Sequence, residues 1–382
     1  MAYVYLDHNA TTPLDQRVLE AMLPYMRDQF GNASSRHELG TRARQGVDVA
    51  REQVAALVNV QPSQVVFVSG GTEANNLFIK GAAGYLKPAQ IAVSAIEHPC
   101  VAQPAADLVR TGWTLRKLAV SADGQVDLED VATALKTPTG IVSVMLANNE
   151  TGVIQPVGAV AELARAARAW VHTDAVQALG KVGVDFRALN VHAMTISAHK
   201  IYGPKGVGAL VVDKRIELRP LIAGGGHEQG MRSGTENVAA IVGFGAAAEL
   251  AESRRGKLVQ RLTALRVHLE SGLHALGAVV FGEQAAARLS NTTYFACRHI
   301  DGETLVIELD KLGYAVAAGA ACSSTSTEPS TTLLAMGVEP ELARGAVRLS
   351  LGEQNTVEDI DGFLRALQGL TRKLRGLTAM AV

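Results

Sequence analysis

The chain has 382 residues, 48% of them hydrophobic and 19% charged, with a formal net charge of -1. That balance excludes a disordered chain, and the lack of a basic block or a long apolar run argues against direct nucleic-acid binding and against a membrane span. Three cysteines, Cys100, Cys297 and Cys322, cannot all pair with one another, and a start without a secretory leader sets a reducing, cytoplasmic location as the expectation.

The opening Tyr3-Val4-Tyr5-Leu6-Asp7-His8-Asn9-Ala10-Thr11-Thr12-Pro13 reads as a short strand breaking into polar turn chemistry. Helical patterning covers 14–28. A loop at Gly31-Asn32-Ala33-Ser34-Ser35 follows, with Ser35 as the expected cap of a helix reaching Asn59. Strands are then predicted over 65–68, 91–94, 115–120, 141–146, 170–173, 194–197 and 209–212. Helices lie between them over 72–85, 101–110, 128–135 and 157–169. This alternation predicts an α/β large domain with a mostly parallel seven-stranded sheet between helices, whose ligands bind beyond the carboxyl ends of the strands. After a Gly-rich loop at 224–230, a long helix is expected over 235–276, with Gly256 as a candidate break. The remainder, with strands at 278–281, 292–296 and 346–351 and helices at 303–312, 339–344 and 357–375, predicts a smaller α+β domain. The expected division gives 15–255 to the large domain and 1–14 with 256–382 to the small one.

Polar residues fall just past several of these strands. Ser69-Gly70-Gly71-Thr72-Glu73 is a glycine loop entering a helix. Its open amides and the Thr72 hydroxyl suit a phosphate, although the same residues also make an ordinary helix start. His98, in Ile96-Glu97-His98-Pro99-Cys100, is able to stack on a flat cofactor and to move protons, or else is a loop histidine bonded to backbone. Asn148-Asn149-Glu150-Thr151-Gly152 offers amides to a carboxylate or a ring oxygen, and Asx residues are equally turn formers. Asp174 ends a buried strand, where a carboxylate is costly unless it meets a cation. A protonated pyridine nitrogen supplies one in pyridoxal phosphate sites, and Gln177, three residues on, reaches the neighbouring ring oxygen. Lys200 ends the next strand, in Ser197-Ala198-His199-Lys200-Ile201-Tyr202-Gly203-Pro204-Lys205-Gly206-Val207-Gly208. Held partly out of water, its amine favours the neutral form that a Schiff base requires. Alone, the stretch is also an exposed lysine opening a hairpin. The ordered set is far more specific than any member: phosphate cup, stacking histidine, acidic ring partner, then lysine.

With those residues in place the chain resembles the class V, fold type I, pyridoxal-phosphate enzymes and, within them, the group I cysteine desulfurases. The resemblance runs through Tyr5-Leu6-Asp7-His8-Asn9-Ala10-Thr11-Thr12, Phe30-Gly31-Asn32, Ser69–Glu73, Glu97-His98-Pro99, Asn148–Gly152 and His172-Thr173-Asp174-Ala175-Val176-Gln177. It continues through Ser197–Lys200, Arg232-Ser233-Gly234-Thr235-Glu236-Asn237, Ala321-Cys322-Ser323-Ser324 and Arg348-Leu349-Ser350, and so covers essentially the whole chain. It implies pyridoxal 5'-phosphate as cofactor, with Lys200 as the Schiff-base lysine, Asp174 on the pyridinium proton and Gln177 on the phenolic oxygen. His98 is then the stacking, proton-transferring residue. Thr72, Ser197, His199 and the amide of Gly71 hold the phosphate, joined by Thr235 from the other subunit of a homodimer. Asn149 and Arg348 bind the substrate carboxylate, for which the arginine fork is suited.

The implied reaction converts L-cysteine to L-alanine. Lys200 or His98 takes the α-proton, and Cys322, in the small-residue polar loop Gly319–Pro329, receives the sulfur as a persulfide. Cys100 and Cys297 sit in more apolar settings and are expected to be packing residues. The implied sulfur acceptor is a protein such as an iron–sulfur scaffold or a tRNA-thiolation protein. Selenocysteine lysis and transamination on the same fold are the competing reactions, and an idle scaffold is the competing class. Three features depart from the family's usual pattern. Ala33 stands where a proline is common. Glu353-Gln354-Asn355-Thr356 replaces an arginine-containing form, and no scaffold-docking tail is recognisable in Leu377–Val382. These bear on the acceptor and not on the chemistry.

Overall fold

The computed structural model describes residues 3–319 and 328–380; Cys322 and the neighbours expected to carry it lie outside the described residues. Among the described residues thirteen strands are present. The central sheet is built from β2 (Val65–Val68), β3 (Gln90–Ser94), β4 (Thr114–Leu118), β5 (Thr139–Ser143), β6 (Trp170–Asp174), β7 (Ala193–Ser197) and β8 (Gly208–Val212), after an N-terminal β1 (Val4–Tyr5). The sheet order is β2-β8-β7-β6-β5-β3-β4. Its strands are rich in Val, Ile and Ala because both faces are covered. Along β2, Val65 and Phe67 join one apolar cluster while Val66 and Val68 join another on the opposite face.

Neighbouring strands from β4 to β7 run parallel, and only β8 is antiparallel to its neighbours β7 and β2. The carboxyl ends of β2, β3, β5, β6 and β7 therefore open on one edge. Chain order also reverses between β3 and β5, and that crevice is where such sheets bind ligands. Lys200 lies three residues beyond the end of β7, in a single 3₁₀ turn over Ala198–Lys200, and not at the strand end itself. The β7–β8 hairpin is real, but the residues between those strands form part of this edge.

The smaller part of the molecule holds β9 (Val279–Val280), β10 (Thr292–Ala296), β11 (Tyr314–Ala315), β12 (Ala317–Ala318) and β13 (Ala346–Ser350). They form an antiparallel β12-β13-β10-β9 sheet and a parallel β1–β11 pair. Its core gathers Leu6, Phe295, Leu305, Leu349 and Phe363. One unbroken helix, Val238–Ala275, serves both cores: Ala240 to Ala251 pack on the large sheet, Leu262 to Leu273 on the small one. Gly256, itself exposed, does not break it, because the helix is packed on a core on either side of that position. We propose the division into two domains at this change of packing partner. His37, not Ser35, caps the helix Glu38–Leu57, its ring accepting from the Gly40 amide.

Candidate active site

A cavity of about 240 Å³ lies at the shared carboxyl edge. Gly71 and Thr72 enter it after β2, His98 and Cys100 after β3, and Asn149 after β5. Asp174 and Gln177 enter from β6, and Ser197, His199 and Lys200 from β7. Residues separated by up to 129 positions in sequence thus meet at one place because their strands share a direction.

Asp174 is only 7% exposed. Its carboxylate accepts from the Val176 amide at 2.9 Å and from Asn75 Nδ2 at 2.7 Å. Both donors are neutral, and no ion pair to Asp174 is present among the described residues. Asn75 Nδ2 also donates to Cys100 Sγ at 2.9 Å. His98 caps the helix Pro99–Asp107: its Nδ1 accepts from the Cys100 amide at 3.2 Å and lies 2.8 Å from Cys100 Sγ. Burial lowers the imidazole pKa, with Asp174 opposing and Lys200 assisting. Cys100 is therefore a member of the site and not the packing residue its apolar neighbours suggested.

The helix Gly71–Tyr85 starts at Gly70 with no side-chain cap. Most other long helices here carry one, such as Asp15, Asn237 and Asp301. Its first residues, Gly71 and Thr72, line the cavity together with Ser197, whose hydroxyl is buried without a partner among the described residues. His199 Nδ1 pairs with Thr11 Oγ1 at 3.2 Å, and burial with the nearby lysines pushes its pKa down to about 4. An uncapped helix end beside a buried orphan hydroxyl is suited to an anion.

Lys200 Nζ donates to the carbonyl oxygens of Asn9 and, at 2.7 Å, of Ala10. Gln177 Nε2 donates to the same Asn9 oxygen at 2.9 Å, while its Oε1 accepts from Lys181 Nζ at 2.7 Å. Lys181 also donates to Asn9 Oδ1 at 2.9 Å. Burial, then Lys200 and Arg348, push the Lys181 ammonium well below the ordinary lysine value.

Arg348, from β13, has a side chain 7% exposed. It pairs with Asp7 at 2.7 Å and donates to the Asn149 carbonyl at 3.1 Å, with Nε left unpartnered. It thus adjoins the cavity through Asn149 without lining it. Asn148 turns its own side chain inward, accepting from the amides of Glu150 and Thr151, so of that loop's two asparagines only Asn149 is presented to the cavity. Glu150 ties the loop to the helix Thr331–Ala335, accepting from Ser330 Oγ at 2.5 Å and Thr332 Oγ1 at 2.8 Å. Thr235 is exposed and borders a neighbouring cavity with Ser69 and Arg232, apart from this one. Asn9, Asn75, Lys181 and Cys100 were not singled out as site residues from sequence. Asn9 stands inside the motif Tyr5–Thr12, Cys100 two residues from His98 and Lys181 four residues from its partner Gln177; for Asn75 no local signal exists.

Fold and site together define an enzyme built to hold a flat anionic cofactor beside a lysine. The chain belongs to the Aminotransferase class-V family, whose profile matches residues 4–363. A relative from Dictyoglomus turgidum, "Cysteine desulfurase IscS", is 41% identical over 98% of this chain and 96% of its own. A solved "NIFS-like protein" is 37% identical, with a TM-score of 0.91 over 97% of this chain and 99% of that one. A structure described as "SspA in complex with cysteine" is 32% identical, with a TM-score of 0.81 over 91% and 98% of the two chains. The family's cofactor is pyridoxal phosphate. The residues present fit it: Asp174 is a buried carboxylate without a cation, Ser197 and the open helix end are anion donors, and Lys200 lines the same cavity. Among the described residues no helix is long and apolar enough to cross a membrane.

Proposed function

We propose that this chain is a cysteine desulfurase, converting L-cysteine to L-alanine and passing the sulfur onward. The observation that carries the reading is the single cavity shared by Lys200, Asp174, His98, Ser197 and Asn149, in a chain 41% identical to a cysteine desulfurase over nearly its whole length. When bound, the cofactor supplies an electron sink for the α-carbanion of the amino acid.

This chain's own residues do the rest. Asp174 holds the ring nitrogen's proton, for which a buried, otherwise cation-free carboxylate is the matching partner. Thr72, Ser197, His199 and the Gly71 amide bind the phosphate, and Gln177 bonds the ring's phenolic oxygen. Asn149 and Arg348 orient the substrate carboxylate. Because Arg348 is held by Asp7 and the Asn149 carbonyl, its guanidinium is set in place before substrate arrives. Lys200 takes the α-proton. The Cys322 thiolate attacks the sulfur of L-cysteine: an S–S bond forms on Cys322, the substrate Cβ–S bond breaks, and the three-carbon fragment takes one proton at Cβ and regains the α-proton from Lys200 to become alanine. The persulfide then passes to an acceptor protein, of the iron–sulfur scaffold or tRNA-thiolation class. The working unit is a homodimer, a reading supported by exposed apolar residues such as Phe30 and Met26 and by Thr235 standing away from its own chain's cavity, and its proposed place is the cytoplasm.

The test is the absorption spectrum of the purified protein, followed by assay of alanine and sulfide on adding L-cysteine, for wild type and Cys322→Ser. A visible cofactor band with sulfide release lost in the variant is expected. Unchanged turnover in Cys322→Ser would move the function to transamination or another reaction of this fold. No band after adding pyridoxal phosphate would overturn the assignment of Lys200.

A further inference from the structure

We infer that Cys100 is a positioning residue that fixes the tautomer of His98, holding the proton on Nε2 and a lone pair on Nδ1. The inference rests on the reading of His98 as a residue of the desulfurase site. His98 ends the turn after β3 and caps the helix Pro99–Asp107, so its Nδ1 accepts the first-turn amide of Cys100 at 3.2 Å. A nitrogen that accepts an amide proton carries a lone pair there, and neutral imidazole then has its proton on the other nitrogen.

One amide at 3.2 Å is a modest bias. The second donor makes it firm. Cys100 Sγ lies 2.8 Å from the same Nδ1 and at the same time receives an N–H of Asn75 at 2.9 Å. The sulfur's lone pair is engaged by Asn75 and the Thr72 hydroxyl adjoins it, which leaves the S–H proton directed to His98. The orientation of the Asn75 amide is fixed independently, because its other N–H serves the Asp174 carboxylate at 2.7 Å and a flipped carbonyl would face that anion. Burial and the Asp174 charge push the Cys100 thiol up to about 12, so it stays the protonated, donating form. The chain of contacts therefore runs from Asp174 through Asn75 and Cys100 to His98.

The consequence separates two roles open to His98. A histidine with Nε2 already protonated has its remaining lone pair, on Nδ1, turned to those two donors and away from the substrate, so taking up another proton there would break both bonds. His98 thus enters the reaction as a neutral Nε2–H donor, and the α-proton is left to Lys200.

The test uses holoenzyme with ¹⁵N-labelled histidine, the His98 signals being assigned by their loss in His98→Gln. At neutral pH the wild type is expected to show Nδ1 as the unprotonated, pyridine-type nitrogen and Nε2 as the protonated one. Cys100→Ala should shift His98 toward a tautomer mixture and lower kcat about 3- to 10-fold, whereas Cys100→Ser, which keeps a donor, should restore both. A protonated Nδ1 in the wild type would overturn the inference without any variant. So would an unchanged His98 spectrum in a folded Cys100→Ala protein. The nitrogen signals report whether or not L-cysteine is turned over. Absence of desulfurase activity would therefore remove the functional reading alone, and a wrong tautomer in an active enzyme would remove this inference alone.

Discussion

Glu97 sits directly before His98 and is only 8% exposed. One carboxyl oxygen accepts from Ser94 Oγ at 2.6 Å and from the Met145 amide at 2.7 Å, while the other has no partner. Burial, reinforced by the nearby Asp174, outweighs those two bonds and pushes the carboxyl from its ordinary 4.5 to about 8. A raised folded-state pKa means that the folded protein holds the proton more tightly than the unfolded chain. The stability from that proton is complete below about pH 4.5 and is lost as pH rises toward 8. At 1.36 kcal/mol per pKa unit the full loss is about 4 to 5 kcal/mol. For a chain of 382 residues that is roughly 5 °C in melting temperature. Glu97→Gln keeps the two accepted bonds and removes the ionisation. Its new amide N–H₂ lacks a partner, which costs about 1–3 kcal/mol at every pH and so offsets the curve without tilting it. Melting temperatures of holoenzyme and variant, followed from pH 5 to 8, should converge and then cross as pH rises, because the wild type alone carries this loss and it exceeds the variant's fixed offset. The other titrating groups are common to both and cancel in the difference. Parallel curves, within about 1 °C across that range, would refute the reasoning, as would failure of the variant to remove a protonated-carboxyl infrared band at neutral pH.

Arg348→Ala should lower kcat/KM for L-cysteine by about 100- to 10,000-fold, mostly through KM, since two charge-assisted bonds of about 1.5–3 kcal/mol each are lost. Initial rates across L-cysteine concentrations check it, and an unchanged KM would remove Arg348 from carboxylate binding. Lys181→Met should leave Gln177 Oε1 without its donor and reduce kcat about 10-fold, the equivalent of one hydrogen bond of about 1–1.5 kcal/mol. The same variant should flatten the stability profile between about pH 8 and 10. A lysine whose folded pKa is depressed contributes stability that is present at high pH and is lost as pH falls through the folded value. Melting curves at the two pH values test this, and an unchanged slope would mean that Lys181 stays charged when folded.

The sheet was legible because its strands are short β-branched runs between glycine-rich turns. The expected strands at 65–68 and 292–296 coincide with β2 and β10 residue for residue. The carboxyl ends of the large sheet's strands then predicted where His98 and Asp174 would gather. Two local signals misled. Ser35 is a good capping residue by type, but the chain turns two residues later at His37. Gly256 is a weak helix former, yet neighbours packed on two cores hold the helix through it. What sequence could not convey was pairing across distance. Asn75 matters through Asp174, 99 residues away, and Lys181 matters through Asn9. Cys100 is the instructive miss: it lay beside His98, but apolar neighbours argue for packing only where no acceptor stands within reach of the thiol.

Asn9 shows why the site depends on both parts of the molecule. Its amide donates to Ser350 Oγ on β13 at 2.8 Å, and its side-chain nitrogen to Thr292 Oγ1 on β10 at 2.9 Å. Its carbonyl oxygen meanwhile accepts from both Lys200 and Gln177, and its Oδ1 from Lys181. The groups that hold the Lys200 amine are therefore anchored on the small sheet, while the lysine itself is anchored on the large one. A shift of one part against the other moves the acceptors of Lys200 relative to its backbone, and the same shift moves Arg348, which lies on β13 beside Ser350. Lysine orientation and carboxylate binding are coupled through one strand, so a substitution that loosens the docking of β1 on β11 should weaken both together, even though neither strand contributes a side chain to the cavity.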